Sequence, residues 1–178
     1  AVDLLVVGQF SDKANVSAVA TASQIVQTIT FVITDIAMGT TILLGQMIGE
    51  GKKDKAGEIV GVSIAMFAVI GIFVAIIMQF LAGGIAHAMN APQEAFSQTV
   101  SYIRICCGGA IFIVAYNVLG SIFRGMGNSK VPLVAVAIAA VFNVLGDLLF
   151  VAVFHMGAAG AAYATVISQA LSVVLSFF

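Results

Sequence analysis

Charge is what this sequence has least of. Of its 178 residues, 7 are Lys or Arg and 8 are Asp or Glu, so 8% are charged, where a soluble domain carries about 25%. Too few ionic groups remain to cover a globule with a solvated surface. Hydrophobic residues make up 61% of the chain and the mean hydropathy is +1.15, so the chain reads as an integral membrane protein. The formal net charge of −1 argues for no nucleic-acid partner, and the few basic residues are placed rather than spread. Cysteine is scarce too. Cys106 and Cys107 are adjacent, would point about 100° apart on a helix, and read as small packing residues rather than a disulfide.

Catalytic signatures are also missing. There is no G-x-x-x-x-G-K-[ST], so nucleotide hydrolysis does not drive the chain. No H-E-x-x-H, no G-x-S-x-G and no Ser or Cys with a partner His points to an intramembrane hydrolase. His87 and His155 stand at loop ends without a second ligand at metal spacing. No enzyme activity and no cofactor is expected.

What is present is apolar runs with a few polar residues set inside them. The most informative is Val131 to Phe154, VPLVAVAIAAVFNVLGDLLFVAVF. Its length, about 24 residues or roughly 36 Å as a helix, spans a hydrocarbon core. Asn143 and Asp147 stand four apart, on one helical face. A carboxylate at that depth costs at least a few kcal/mol unless it is protonated, paired or wetted, so Asp147 is a candidate functional residue. The bland alternative is that the pair only stitches two helices together.

In chain order, spans are expected at about 1–10, 16–48, 57–84, 95–123, 131–154 and 158–178, an all-α polytopic membrane bundle of about six helices with the first and last truncated. The second is long enough to need tilt or a projecting end. EGKKDKAGE at Glu50 to Glu58 reads as a solvated loop, Asn90 and Pro92 break the chain, and Pro132 falls in a first helical turn, where its missing N–H is harmless. Gly57 and Gly61, with the small residues Gly157, Ala161, Ala164, Ser168 and Ser172, suggest closely packed helices. The chain starts at Ala1 without an initiator Met and stops at Phe178 inside an apolar run, which reads most simply as a piece of a longer protein. Lys52, Lys53, Lys55, Arg124 and Lys130 fall in loops on one side and only Lys13 on the other. The imbalance makes the loops at 49–58 and 124–131 cytoplasmic.

Depth follows from the rise per residue. Asp3 lies eight positions before Ser11, Asp147 eight before His155 and Thr165 eight after Gly157, which puts all three about 12 Å below the outer surface. Asn143 is one turn deeper, and Tyr102 and Arg104 fall near the same level. Two carboxylates and neutral Asn and Thr oxygens suit either one shared proton or a sodium ion. Arg104 could instead neutralise Asp3 or Asp147 in a fixed pair. Asn117, Gln169, Gln24 and Gln27 are uncharged polar residues at spanning depth that would line a cavity or bond between helices, and Asp35 would face a water-filled cavity or mark a wet helix face.

Six stretches, VDLLVVGQF at Val2, GTTILLGQMIGEGKKDKA at Gly39, YIRI at Tyr102, FRGMGNSKVP at Phe123, NVLGD at Asn143 and GAAGAAYATVISQ at Gly157, occur in the order of the multidrug and toxic compound extrusion (MATE) family. The sequence resembles the N-terminal lobe of that family's twelve-helix, two-lobed transporters, in its DinF-like branch. The resemblance implies that Asp3, Asn143, Asp147 and Thr165 form a proton or sodium site, with Tyr102 beside it. It also implies that the partners are the bilayer, a second lobe of the same chain and a small organic substrate. The family's first-helix proline would precede this chain, and Asp35 is not part of the pattern. The function expected is export of organic cations or other amphipathic compounds across the inner (plasma) membrane, against inward H⁺ or Na⁺ flow. Two alternatives are a flippase for lipid-linked precursors and a non-transporting scaffold or channel.

Overall fold

The computed structural model describes residues 2–176, and every regular element among them is helical. Seven α-helices follow in order: α1 Val2–Phe10, α2 Lys13–Gly49, α3 Lys53–Ala88, α4 Phe96–Gly108, α5 Ala110–Gly125, α6 Lys130–Asp147 and α7 Gly157–Leu175. A 3-10 turn, Gln93–Ala95, precedes α4, and a π-helix, Leu148–Val153, continues α6. Four helical stretches are long and apolar enough to cross a membrane, and α4 with α5 makes a fifth if the bent pair is one span. The nine residues of α1 reach only about 14 Å, less than half a hydrocarbon core. Large apolar side chains cover the outside: Phe80 is 82% exposed, Leu5 71% and Val69 68%. Such a surface suits lipid, not water.

The helix boundaries depart from the sequence reading in three places. The charged stretch is a loop only at Glu50 to Lys52, and Lys53 to Glu58 already belong to α3. Lys and Glu are good helix formers, and Asp54 in the first turn complements the helix dipole. The helix therefore runs 36 residues, about 54 Å, and carries its charges past the apolar slab. The expected fourth span is not one rod but α4 and α5, bent by 48° at Gly108 and Gly109. The fifth span does not stay α-helical to its outer end but widens into the π-helix directly after Asp147, before the turn at His155 to Gly157.

The bend at Gly109 sorts the interior into two cores. α4 packs its Tyr102, Ile103 and Cys106 with Val7, Val19 and Val151 toward the outer half, while α5 packs Val114, Val118 and Ile122 with Ile33, Leu44 and Phe67 toward the inner half. Both cysteines are free and buried, filling space as expected. Of the small residues, Ala161, Ala164, Ser168 and Ser172 are buried along α7. Gly57 and Gly61 face open space instead, so the G-x-x-x-G of α3 makes no helix contact in this bundle. Close approach is made by other glycines, notably Gly109, where an added Cβ would stand 2.5 Å from Val166 Cγ1 of α7.

Gly109→Ala should therefore lower stability by about 1–3 kcal/mol, the usual cost of overpacking, and Val166→Ala should recover most of it. Thermal unfolding of the full-length protein in detergent, with single and double variants, checks the pairing.

Candidate functional site

Three helices and the π segment bring the site together at the outer third of the bundle. α1 presents Val6 and Val7 to the core, which leaves Asp3, three to four positions earlier, on the same inward side. α6 presents Asn143 and Asp147 one turn apart. α7 presents Thr165 between the buried residues Ala161, Ala164 and Ser168. The α6–α7 contact is close because its residues are small: a Cβ on Gly146 would meet Ala164 Cβ at 3.0 Å, and one on Gly160 would meet the Phe150 carbonyl carbon at 3.1 Å. Backbones that near leave no room for water between them.

The outer ends of α2 and α7 are tied to each other. Asn15, at the start of α2, accepts the Ala158 N–H with its Oδ1 at 3.0 Å, capping α7 from another element. Gly157 turns into α7 at φ +56° beneath the same side chain, which a Cβ there would meet at 2.5 to 2.9 Å. Thr165 lies eight positions after Gly157, so the latch fixes its depth in the bundle.

Side-chain hydrogen bonds link three of the four expected residues. Asn143 Nδ2 donates to Thr165 Oγ1 at 3.4 Å, and Thr165 Oγ1 donates to Asp3 Oδ2 at 3.1 Å. Thr165 also lies 3.0 Å from the Ala161 carbonyl, so one hydroxyl proton serves two acceptors. Asp147 is 0% exposed, and neither of its carboxyl oxygens has a hydrogen-bond partner among the described residues. The carboxyl of Asp3 stands near enough to act on it, and among the described residues no donor reaches either Asp147 oxygen. Tyr102 is buried on α4 and lines a cavity of about 230 Å³ together with Asp3 and Thr165, while Asp3, Asn143, Thr165 and Gln169 line a second of about 190 Å³. Asp3 and Thr165 stand in the wall between the two.

Other expected neighbours lie elsewhere. Arg104 is exposed and forms no ion pair among the described residues, its backbone carbonyl instead accepting from Gln79 Nε2 at 2.9 Å. Two positions on from Tyr102, it points about 200° round the helix. The fixed Arg–Asp pair therefore does not form. Asn117 bonds to Thr34 of α2 at 2.8 Å and to the Ile113 carbonyl at 2.7 Å, which makes it a link between α2 and α5. Asp35 is exposed on the outside of α2. What the sequence reading missed is the π-helix beside Asp147 and the Asn15 latch. The first leaves no residue signature, while an Asn in an outer turn is a capping signal whose target helix cannot be counted.

The described residues thus form a buried polar centre inside a bundle of apolar spans. A sequence model described as MatE matches residues 1–149, and the chain belongs to that family, the one its motifs resemble. It is 28% identical over 177 residues to "Probable multidrug resistance protein YpnP" of Bacillus subtilis (strain 168), covering 99% of this chain and 40% of that protein. It is 24% identical over 141 residues to "Multidrug export protein MepA" of Staphylococcus saprophyticus, covering 79% of this chain and 31% of that one. Among solved structures, one titled "Outward-facing conformation of a multidrug resistance MATE family transporter of the MOP superfamily" is 27% identical with a TM-score of 0.90, covering 99% of this chain and 38% of that one. An "Inward-facing conformation" of the same description is 24% identical with a TM-score of 0.92, covering 99% and 40%. The chain thus spans about two fifths of the length of the relatives it matches.

An acceptor beside an acceptor predicts a stability effect. In the full-length protein in detergent, without added sodium and at alkaline pH, Asp147→Asn should raise the unfolding free energy by about 1–3 kcal/mol, since an amide N–H then reaches Asp3. A melting scan checks the sign, and a lower melting temperature would contradict the geometry.

Proposed function

We propose that the chain is the ion-coupling lobe of a secondary antiporter that exports organic cations or other amphipathic compounds across the inner (plasma) membrane. The observation that carries this reading is Asp147, wholly buried, with no donor on either oxygen among the described residues and a second carboxyl, that of Asp3, beside it. Such a pair is stable only with a positive charge between or on it, a proton or a small cation. The donor set is all oxygen, two carboxylates, a hydroxyl and an amide, which fits a hard cation and no thiolate- or imidazole-seeking metal. H⁺ or Na⁺ is the coupling ion, and it is cargo, not a resident cofactor.

Coupling follows from differential stability. With the site loaded, Asp3 on α1 and Asp147 on α6 attract a common charge and hold α1 against the bundle. Emptied, they repel, and the short α1 is the element with least to hold it. Ion binding therefore biases two arrangements of α1, which is what linkage between ion and substrate requires. The likeness of the lobe to transporters titled inward-facing and outward-facing, at TM-scores of 0.92 and 0.90, supports a lobe that moves as a body against its partner. A flippase of lipid-linked precursors would call for a cationic cavity, and here Arg104 is turned out of it.

In proteoliposomes carrying the full-length protein, Asp147→Asn should reduce ion-driven export of a fluorescent organic cation at least tenfold while the protein stays folded. Arg104→Gln, which touches nothing in the site, should leave export within about twofold of the parent. Undiminished ion-coupled export by the Asp147 variant would refute the assignment.

A further inference from the structure

Asp35 is the acid that the carboxyl pair leaves unused. Its side chain is exposed and forms no ion pair among the described residues. No Lys or Arg stands between Lys13 and Lys52, so α2 offers it no counter-ion. Its depth is fixed by its neighbour. Thr34 Oγ1 donates to Asn117 Oδ1 at 2.8 Å, and Asn117 lies eight positions before Gly125, the last residue of α5, hence about 12 Å inside the inner loops. An acid at that depth is not left against hydrocarbon.

The side of α2 that carries it is polar beyond this one residue. Ala22, Ile33, Ala37 and Leu44 are buried against the bundle, and Gln24, Thr28, Asp35 and Gln46 run along the opposite side, all exposed. The outside of α3 is unlike it: Val62, Val69, Phe73 and Phe80 are 63 to 82% exposed, which suits lipid. Phe31, 66% exposed, stands one turn outward of Asp35 on the same side. Beyond it a groove of about 330 Å³ is lined by Gln24, Thr28 and five apolar residues, Met78 and Met89 among them. A carboxylate, an aromatic face and an apolar groove thus follow one another along roughly 10 Å of helix, the rise from Thr28 to Asp35.

We infer that Asp35 is the charge-recognition residue of a substrate subsite on α2, which takes an organic cation: the charge meets the carboxylate, and the apolar body lies on Phe31 and reaches into the groove. This deepens the export reading above and rests on it. The chain spans about two fifths of the length of its relatives, and the polar side of α2 faces water held between this lobe and the remainder of such a protein. One carboxylate flanked by Phe31 and Gly39 supplies too few oxygens for a small metal ion. A large, weakly hydrated cation needs only the charge, and it gains further from the aromatic ring one turn away. Methionine side chains adapt to bodies of different shape, so the charge is read closely and the body loosely.

Binding of radiolabelled tetraphenylphosphonium to the purified full-length protein, by equilibrium dialysis in detergent, tests the assignment. Asp35→Asn should raise Kd about tenfold, since the lost attraction acts beside apolar helices and not in open water. Asp35→Glu, which keeps the charge, should stay within about threefold of the parent. Neither substitution should lower the melting temperature, because the side chain has no partner in the lobe to lose. Equal affinity in the parent and Asp35→Asn would overturn the inference and leave ion-coupled export standing. Weaker binding together with a lower melting temperature would overturn it as well, marking Asp35 as a contact with the rest of the protein. Failure of the export reading would show separately, as undiminished coupled export by Asp147→Asn.

Discussion

A carboxyl group with no donor, held out of water, is the constraint on which this lobe depends. Among the described residues nothing packed round Asp147 neutralises it: Arg104 points away, and the other basic side chains stand near the helix ends. Its isolation is not an accident of loose packing. Gly146 against Ala164 and Gly160 against Phe150 bring two backbones to a distance that admits no solvent, and lipid supplies no hydrophobic drive to hold helices so close, so close-range packing must do it. The residues that keep the acid dry are the residues that hold the lobe together. A substitution that loosens this seam would wet the carboxyl and remove the reason for ion coupling at the same stroke.

The π-helix belongs to the same constraint. In an α-helix each carbonyl is taken four residues on, whereas here the Phe154 N–H reaches back to the Leu149 carbonyl at 3.0 Å, five residues away. The wider turn rotates the residues after Asp147 relative to those before it. It lets Val151 bury itself fully in the outer core beside Val7 of α1, while Asp147 keeps its aim toward Asp3.

Depth was legible in the sequence, and direction round the helix was not. Rise per residue is nearly constant, so counting inward from Ser11, His155 and Gly157 placed Asp3, Asp147 and Thr165 at one level, and the structure joins Asp3, Thr165 and Asn143 by hydrogen bonds. Azimuth depends on which side of a helix its neighbours occupy, a tertiary property. Arg104 shares the depth of Tyr102 yet faces outward, and Asn117 bonds to Thr34 rather than lining the site. The bend at Gly109 was missed for a related reason: two glycines in an apolar run permit a bend, but only Val166, 57 positions on, requires it. The charged stretch after Glu50 misled in the opposite way, because solvation and helix formation are compatible for Lys and Glu.

The Thr165 hydroxyl shows how a charge change at Asp3 would be felt beyond the carboxyl pair. It has one proton and two acceptors at nearly equal reach, Asp3 Oδ2 at 3.1 Å and the Ala161 carbonyl at 3.0 Å. A charged carboxylate is the stronger acceptor, so an ionised Asp3 holds the proton, a local attraction that opposes its repulsion from Asp147. Once Asp3 is neutralised, the backbone carbonyl competes on equal terms and this one bond weakens, a smaller effect on α1 than the loss of that repulsion. Asn143 donates to the same oxygen and so senses the choice from α6. Three helices are thereby joined through a single hydroxyl whose preference depends on one charge, and a structural hydrogen bond between two fixed neutral groups would have no such dependence.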